Sequence, residues 1–592
     1  MNKNIKSKVK ELRALMKIRK LDGFIIPHED EFLTEYTPPS SDRLSWISGF
    51  TGSAGLSIIN QSSAAIFVDG RYTTQVKMES PSNIFDFEDL GIDSQKKWIR
   101  KNCLNGHRLG FNPKILSLTK FISLKKIADE SNIELIETNN LVDEIWLSRP
   151  KEPNGKVIRH EERFSGKSFL EKKGDLIEEI DKENADSLFI SESDNSCWLL
   201  NIRGNDLDFT PLLRCFSIFE KSGDVYLFSN HEVSEKINNY FNKNKILVLP
   251  LESILDFIKD KKYRNTLFDP NTTPLEVAQI IQSHSFSFIL KPNPCSIMKA
   301  CKNITELKGS KSAHIRDGVA LTKFLFWLEN EVEENSIDEI TIENKLLEFR
   351  KENKELKSLS FSTIAGAASN GAIVHYKVNK KTNKILKSGD ILLLDSGGQY
   401  LDGTTDVTRT VPVFYENNIN EEIKDRYTRV LKGHIAIASS IFPKGTKGSD
   451  LDPLARKFLL DIGLNYSHGT GHGVGSFLGV HEGPQNISPM GSEELKEGMI
   501  ISNEPGYYKE NEYGIRIENL VYVKQSNGDK NNLKFETLTM SPIDKSLIKV
   551  NLLDPKERGW LNDYHKEVFK EISPFLDNSQ KSWLEICCSP IH

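Results

Sequence analysis

Apolar residues recur at changing intervals along this 592-residue chain, and each change of interval marks a change of element. In residues 1–20, Val9, Leu12, Leu15, Met16 and Ile18 fall at roughly helical spacing among lysines. That predicts an amphipathic helix on the protein surface, without the continuous apolar core of a secretory leader. Gly23-Phe24-Ile25-Ile26 and Ala64-Ala65-Ile66-Phe67-Val68 read as buried strands, with a Gly/Ser turn-rich stretch, Trp46 to Gly55, between them. After a Pro/Gly-rich boundary near residues 149–155 the theme repeats. Asp186-Ser187-Leu188-Phe189-Ile190 and Val225-Tyr226-Leu227-Phe228 are predicted strands, and Cys197 to Gly204 resembles the Trp46 stretch, so we expect a duplicated α/β unit. A second boundary falls near Lys291-Pro292-Asn293-Pro294. Helical periodicity follows through Ala313, Ile315, Val319, Leu321, Phe324 and Leu328, then strands alternate with glycine turns. From about Ser546 the chain becomes helical and aromatic (Trp560, Leu561, Tyr564, Val568, Phe569, Trp583), an appended tail that either caps the preceding domain or meets another subunit.

Composition changes this picture little. The chain is 38% hydrophobic and 27% charged with net charge −5, so nothing recruits nucleic acid, and no run approaches the ~20 apolar residues that span a bilayer. Its seven cysteines are scattered, odd in number and without CxxC pairs, which predicts reduced thiols in a cytoplasmic protein rather than disulfides or structural zinc.

The candidate chemistry lies in the last half. Asp395 ends the apolar run Ile391-Leu392-Leu393-Leu394 beside Gly397-Gly398, and Asp406 is expected inside the Thr/Val strand 404–410, where an unpaired charge is costly. In Ser467-His468-Gly469-Thr470-Gly471-His472-Gly473-Val474-Gly475 the interleaved glycines exclude a zinc helix, and neither a GKS/T lysine nor a GxGxxG order is present. An extended segment with inward-facing imidazoles remains. Glu504 follows the apolar run Met499-Ile500-Ile501, and Arg516 and Glu518 are expected on one face of a strand, with Arg516 hydrogen-bonded to a ligating carboxylate. Asp395, Asp406, His472, Glu504 and Glu518 together form a ligand set for two divalent cations. Their four carboxylates balance two 2+ ions, and this hard set favours Mn²⁺ or Co²⁺, admits Zn²⁺ and excludes Cu(I).

These motifs, in this order, resemble the pita-bread metallopeptidases, which include methionine aminopeptidase, prolidase and aminopeptidase P. They are most similar to the long, cytosolic, three-domain Xaa-Pro aminopeptidases. The resemblance spans nearly the whole chain, from Ile47-Ser48-Gly49-Phe50-Thr51-Gly52 and Asp69-Gly70-Arg71-Tyr72, through Trp198 to Gly204 and Ala372-Ile373-Val374-His375-Tyr376, to Glu504-Pro505-Gly506-Tyr507-Tyr508. It implies two creatinase-like α/β domains (1–150 and 151–300), a pita-bread catalytic domain (301–545) and a helical extension (546–592). It also implies a homodimer. Asp395 and Asp406 would bind one metal, with Asp406 bridging to the second. His472 and Glu504 would complete the second site, with Glu518 the other bridge. His375, His468 and His481 match catalytic and substrate-contacting histidines, and Arg71 would reach the peptide. Ala365-Gly366-Ala367-Ala368 and Lys377 depart from the family pattern beside the expected substrate pocket, for which Phe361 is a further candidate.

The implied reaction is hydrolysis of the bond between a first residue and a following proline, using water held between two metals. Glu504 would carry the proton, and His481 or His375 would donate to the carbonyl oxygen. The alternatives are a prolidase, which the duplicated front half disfavours, and a non-catalytic protein-binding or creatinase-like relative, which the complete ligand set disfavours.

Overall fold

The computed structural model describes residues 2–331, 336–413, 419–526 and 528–592. The chain forms two compact units, Met1–His160 with Lys167–Ser296, and Glu161–Gly166 with Ile297–His592.

The first unit contains two six-stranded sheets of one topology. Sheet one comprises β1 (Gly23–Pro27), β2 (Leu56–Asn60), β3 (Ala64–Val68), β4 (Asp86–Asp89), β5 (Arg108–Phe111) and β6 (Glu134–Glu137), in the order β4-β3-β2-β1-β5-β6. Sheet two comprises β7 (Ser187–Ile190), β8 (Phe216–Glu220), β9 (Val225–Phe228), β10 (Ile246–Leu249), β11 (Asn265–Phe268) and β12 (Ser287–Leu290), in the matching order β10-β9-β8-β7-β11-β12. In both, the three strands around the hairpins are antiparallel and the outer strands add in parallel. The duplication expected from sequence is therefore a duplication of topology. The two sheets share one core, where Phe32 meets Phe216 with ring centroids 4.8 Å apart. The buried Arg214 reaches Asp30 at 3.2 Å.

The stripe predicted in the first twenty residues forms the helix Asn2–Ile18; Met1 lies outside the described residues. Val9, Leu12 and Met16 are buried with Ile5 against sheet one, each such side chain contributing roughly 1.5–3 kcal/mol, whereas Ile18 falls off the stripe and is exposed. Two turn-rich stretches differ from expectation. Trp46 to Ser48 belong to the helix Arg43–Ser48, which ends at Gly49 in the left-handed region (φ 86°), and Cys197 to Leu199 belong to the helix Ser193–Leu199. The first buries Leu44 and Ile47 and the second Cys197, Trp198 and Leu199, which a Gly/Ser count does not register.

In the second unit, β13 (Ile364–Ala367), β14 (Ile391–Ser396) and β15 (Val407–Pro412) form one antiparallel sheet, with Asp395 opposite both Ile364 and Thr408. The helices Ile304–Glu331 and Glu339–Lys351 pack on it through Leu321, Phe324, Ile342 and Leu346. Across the unit β16 (Gly471–His472) is followed by β17 (Ile500–Asn503), the pair β18 (Gly506–Lys509) and β19 (Tyr513–Arg516), and β20 (Asn519–Ser526), which pairs with β17. The helices Glu421–Ala438 and Gly448–Leu460 cover that side.

The tail folds as the helices Pro555–Ile572 and Asn578–Cys587. Leu561, Tyr564, Val568 and Leu584 enter the same core as Tyr427, Val430 and Leu431, so the tail caps this unit. Trp583 and Ile586 close one wall of a cavity of about 320 Å³. All seven cysteines are free thiols, and no helix among the described residues is long and apolar enough to cross a membrane.

Candidate metal centre

The five predicted ligands arrive from different elements and converge. Asp395 is on β14. Asp406 stands one residue ahead of β15, not within it as expected, and Glu518 lies between β19 and β20. Strand β19 ends at Arg516, so Arg516 and Glu518 do not share a strand face. They meet through Thr408 instead: the Thr408 hydroxyl donates to Glu518 Oε2 (2.7 Å) and accepts from Arg516 Nε (3.1 Å).

Ligand atoms of Asp406, His472 and Glu518 all lie within 4.8 Å of one another. His472 Nε2 is 3.5 Å from Asp406 Oδ2 and 3.3 Å from Glu504 Oε1. Its Nδ1 lies 3.0 Å from the Gly473 carbonyl, which can only accept, so Nδ1 carries the hydrogen and the Nε2 lone pair faces the carboxylates. The Ser502 hydroxyl joins two motifs, donating to Glu504 Oε1 (3.0 Å) and accepting the His472 N–H (2.9 Å). Asp395, Asp406 and Glu518 are buried. The side chains of His472 and Glu504 keep 21% and 17% exposure, so the cluster opens to solvent on their side.

The electrostatics of this cluster call for cations. Burial first, then the Asp395 and Glu504 carboxylates, hold Asp406 well above the usual carboxylate range. Burial, then Asp406, Glu504 and Asp395, do the same to Glu518. The guanidinium in contact is that of Arg516, which is buried and donates to Asp395 Oδ2 at 2.6 Å. Asp395 Oδ1 and Asp406 Oδ1 are buried with no hydrogen-bond donor among the described residues. An oxygen-rich, thiolate-free pocket with orphaned carboxylate oxygens fits hard divalent ions.

Glycine makes the convergence possible. A Cβ on Gly471 would lie 1.9 Å from the Ser502 carbonyl oxygen, and one on Gly473 2.0 Å from that of Glu482. Both obstacles are backbone and cannot turn aside. Gly471→Ala should therefore cost roughly 1–3 kcal/mol or more and push His472 off the cluster. A thermal scan with a metal titration checks this: a melting temperature and metal affinity equal to those of the unaltered protein would refute it.

The predicted histidines separate into two groups. His481 packs edge-on against His472 (centroids 4.3 Å apart), and His375 stacks outside His481 at 6.4 Å. His468 lies on the other side, with Nδ1 2.7 Å from the Gly469 carbonyl and Nε2 2.9 Å from the Tyr508 hydroxyl. Contact between His468 and a substrate would require exchanging one of these partners. Tyr508, whose hydroxyl burial pushes up to about 12, also accepts from Arg516 Nη1 (2.6 Å) and so links His468 to Asp395. Sequence reasoning missed Tyr508, Thr408 and Ser502. Tyr508 stood inside a quoted motif, but nothing along the chain shows which side its hydroxyl faces. Arg71 belongs to the other unit, where its guanidinium is bound by Asp69 (2.7 Å). Phe361 is partly exposed just ahead of β13.

A sheet-and-helix unit of this kind, carrying four carboxylates and an imidazole on or beside its strands, defines a pita-bread metallopeptidase. Comparison with known proteins agrees. Residues 308–525 match metallopeptidase family M24, residues 531–591 its C-terminal region, and residues 8–145 and 148–306 each match the creatinase/prolidase N-terminal domain. The chain is 37% identical to Xaa-Pro aminopeptidase 1 of Dictyostelium discoideum, covering 99% of this chain and 97% of that one. It is 36% identical to a probable Xaa-Pro aminopeptidase P of Laccaria bicolor, covering 99% and 94%. An X-prolyl aminopeptidase of Caenorhabditis elegans, described as a cytosolic enzyme with a di-nuclear active site, superposes with TM-score 0.94 at 31% identity, covering 99% of this chain and all of that one. The Xaa-Pro dipeptidase of Bacillus anthracis matches 64% of this chain at TM-score 0.51 and 21% identity, a likeness of fold alone. The chain belongs to metallopeptidase family M24, with two creatinase-type domains ahead of the catalytic one.

Proposed function

We propose that this protein is a metal-dependent Xaa-Pro aminopeptidase that releases the first residue of peptides with proline in second position. The convergence of Asp395, Asp406, His472, Glu504 and Glu518, with His481 and His375 ranged outward from it, is the observation that carries the reading. Full-length likeness to Xaa-Pro aminopeptidases, duplicated front half included, supports this over a prolidase. The complete ligand set supports it over a non-catalytic relative. On this reading the four segments 1–150, 151–300, 301–545 and 546–592 are the two creatinase-like domains, the catalytic domain and its capping tail. The protein acts in the cytoplasm as a homodimer.

Asp395, Asp406, His472, Glu504 and Glu518 would hold two divalent cations, Mn²⁺ above others. Such ions, when bound, supply Lewis-acid polarisation and a lowered pKa for water. The remaining work falls to side chains. Glu504, on the solvent-open side and oriented by Ser502, takes the proton of the attacking water and returns it to the proline nitrogen. His481, with His375 behind it, donates to the carbonyl oxygen as charge develops. Arg516 keeps Asp395 oriented, and Tyr508 ties Arg516 to His468. The scissile nitrogen of an Xaa-Pro bond has no hydrogen to grip, so a pocket shaped to the ring, to which His375, His468 and Phe361 contribute, selects the substrate.

Purified Mn²⁺-loaded protein should cleave Xaa-Pro-Pro tripeptides and longer Xaa-Pro peptides, releasing one residue. Cleavage of Xaa-Pro dipeptides without cleavage of the tripeptide would replace this reading with a prolidase.

A further inference from the structure

Glu339 belongs to no motif above, yet its carboxylate is a hub. It is the first residue of the helix Glu339–Lys351 and is fully buried. Oε1 accepts the Ala367 N–H (2.8 Å) and Asn370 Nδ2 (2.9 Å). Oε2 accepts the Tyr376 hydroxyl (2.8 Å), the Lys384 N–H (3.0 Å) and again Asn370 Nδ2 (3.0 Å). The Glu339 N–H in turn donates to the Lys384 carbonyl (3.0 Å). All these partners lie within residues 367–384. Beyond Ala367, the last residue of β13, and the 3-10 turn Ala368–Ala372, the rest of that stretch has neither helix nor strand. A segment without a ladder must find its hydrogen bonds elsewhere, and here one carboxylate collects them. Asn370 Nδ2 also donates to the Thr382 carbonyl (2.9 Å), which closes the segment on itself.

His375 sits between two of these anchors, next to Tyr376, with its ring stacked on His481. Because Tyr376 is tied directly to Glu339, a shift of the carboxylate moves the neighbouring imidazole. Sub-ångström placement of a catalytic group depends on such buried support.

We propose that Glu339 is the positioning residue for His375, holding the 367–384 segment so that the imidazole stays beside His481. The proposal rests on the Xaa-Pro aminopeptidase reading for its kinetic consequences, but not for the anchoring itself. Whichever way the amide of Glu339→Gln turns, its NH2 meets a backbone N–H, that of Ala367 or that of Lys384, which displaces the segment without touching the metal ligands.

Glu339→Gln is expected to lower kcat on an Xaa-Pro-Pro peptide by about 10- to 100-fold with Mn²⁺ content unchanged. In a His375→Asn background the same change should cost less than about twofold, because the two act through one group. A full loss in that background would overturn the proposal, since the carboxylate would then act by another route. Hydrogen exchange supplies a readout independent of activity. Peptides within 367–384 should exchange faster in Glu339→Gln while the helix 339–351 stays protected, and unchanged exchange would equally overturn it. If the unaltered protein cleaves no Xaa-Pro peptide, the functional reading falls, and the exchange result still decides the anchoring. Should Glu339→Gln fail to fold, Tyr376→Phe removes one anchor. It should give a smaller, several-fold loss in kcat that vanishes in the His375→Asn background, and persistence there would refute the proposal.

Discussion

Glu504→Gln should leave a folded protein whose kcat on Xaa-Pro peptides is lower by about 10²- to 10⁴-fold, the range a positioned general base supplies. The substitution is nearly isosteric, and the amide oxygen can keep the bond from the Ser502 hydroxyl that now reaches Glu504 Oε1 at 3.0 Å. What disappears is the negative charge 3.3 Å from His472 Nε2 and the capacity to take and return a proton. Circular dichroism and a thermal scan establish folding, and metal analysis separates lost turnover from lost metal. A variant that retains its metal and turns over within tenfold of the unaltered protein would show that the proton travels through another group.

Chelation should abolish activity altogether, with recovery on adding Mn²⁺, and should also change how stability depends on pH. Asp406 and Glu518 are raised by burial and then by the neighbouring carboxylates, so the metal-free folded state keeps protons that the unfolded chain releases. For carboxyls shifted upward, stability is greatest below the ordinary carboxylate range, about pH 4. It falls as pH rises from there through the raised folded-state values. Metal binds the deprotonated carboxylates and removes that loss. The melting temperature gained by adding Mn²⁺ should therefore grow from pH 5 to pH 8, and metal uptake should release protons, detectable by calorimetry in buffers of different ionisation enthalpy. Groups remote from the site cancel in this difference. The dependence should flatten in Asp406→Asn, and a gain that shrinks with rising pH would contradict the assigned cluster.

Several features were legible along the chain. The amphipathic stripe through Val9, Leu12 and Met16 and the apolar runs that became β1, β3, β7, β9 and β14 follow from side-chain periodicity, a local property. The residue types of the candidate site were equally visible: Asp395, Asp406, His472, Glu504 and Glu518 carry oxygen and imidazole donors suited to hard cations, and glycines interleaved with His468 and His472 ruled out a helix. The duplication was visible as two short strand signals, and it proved to be a duplication of whole sheet order.

Which hydroxyls join these distant residues was not legible. Thr408 joins Arg516 to Glu518, and Ser502 joins His472 to Glu504, because the fold sets β15 beside the end of β19 and β17 beside β16. A hydroxyl's partner is set by register and by which face a strand turns inward, and neither has a signature in composition. Trp46 to Ser48 were misassigned for the same reason, since burial beside sheet one outweighs local turn propensity in the helix Arg43–Ser48. Glu339 is the extreme case. In sequence it is one more acidic residue at the start of a helix. Only the fold places five donor contacts around its carboxylate, because hydrogen bonding acts over a few ångströms in space, while Glu339 and its partners lie 28 to 45 positions apart along the chain.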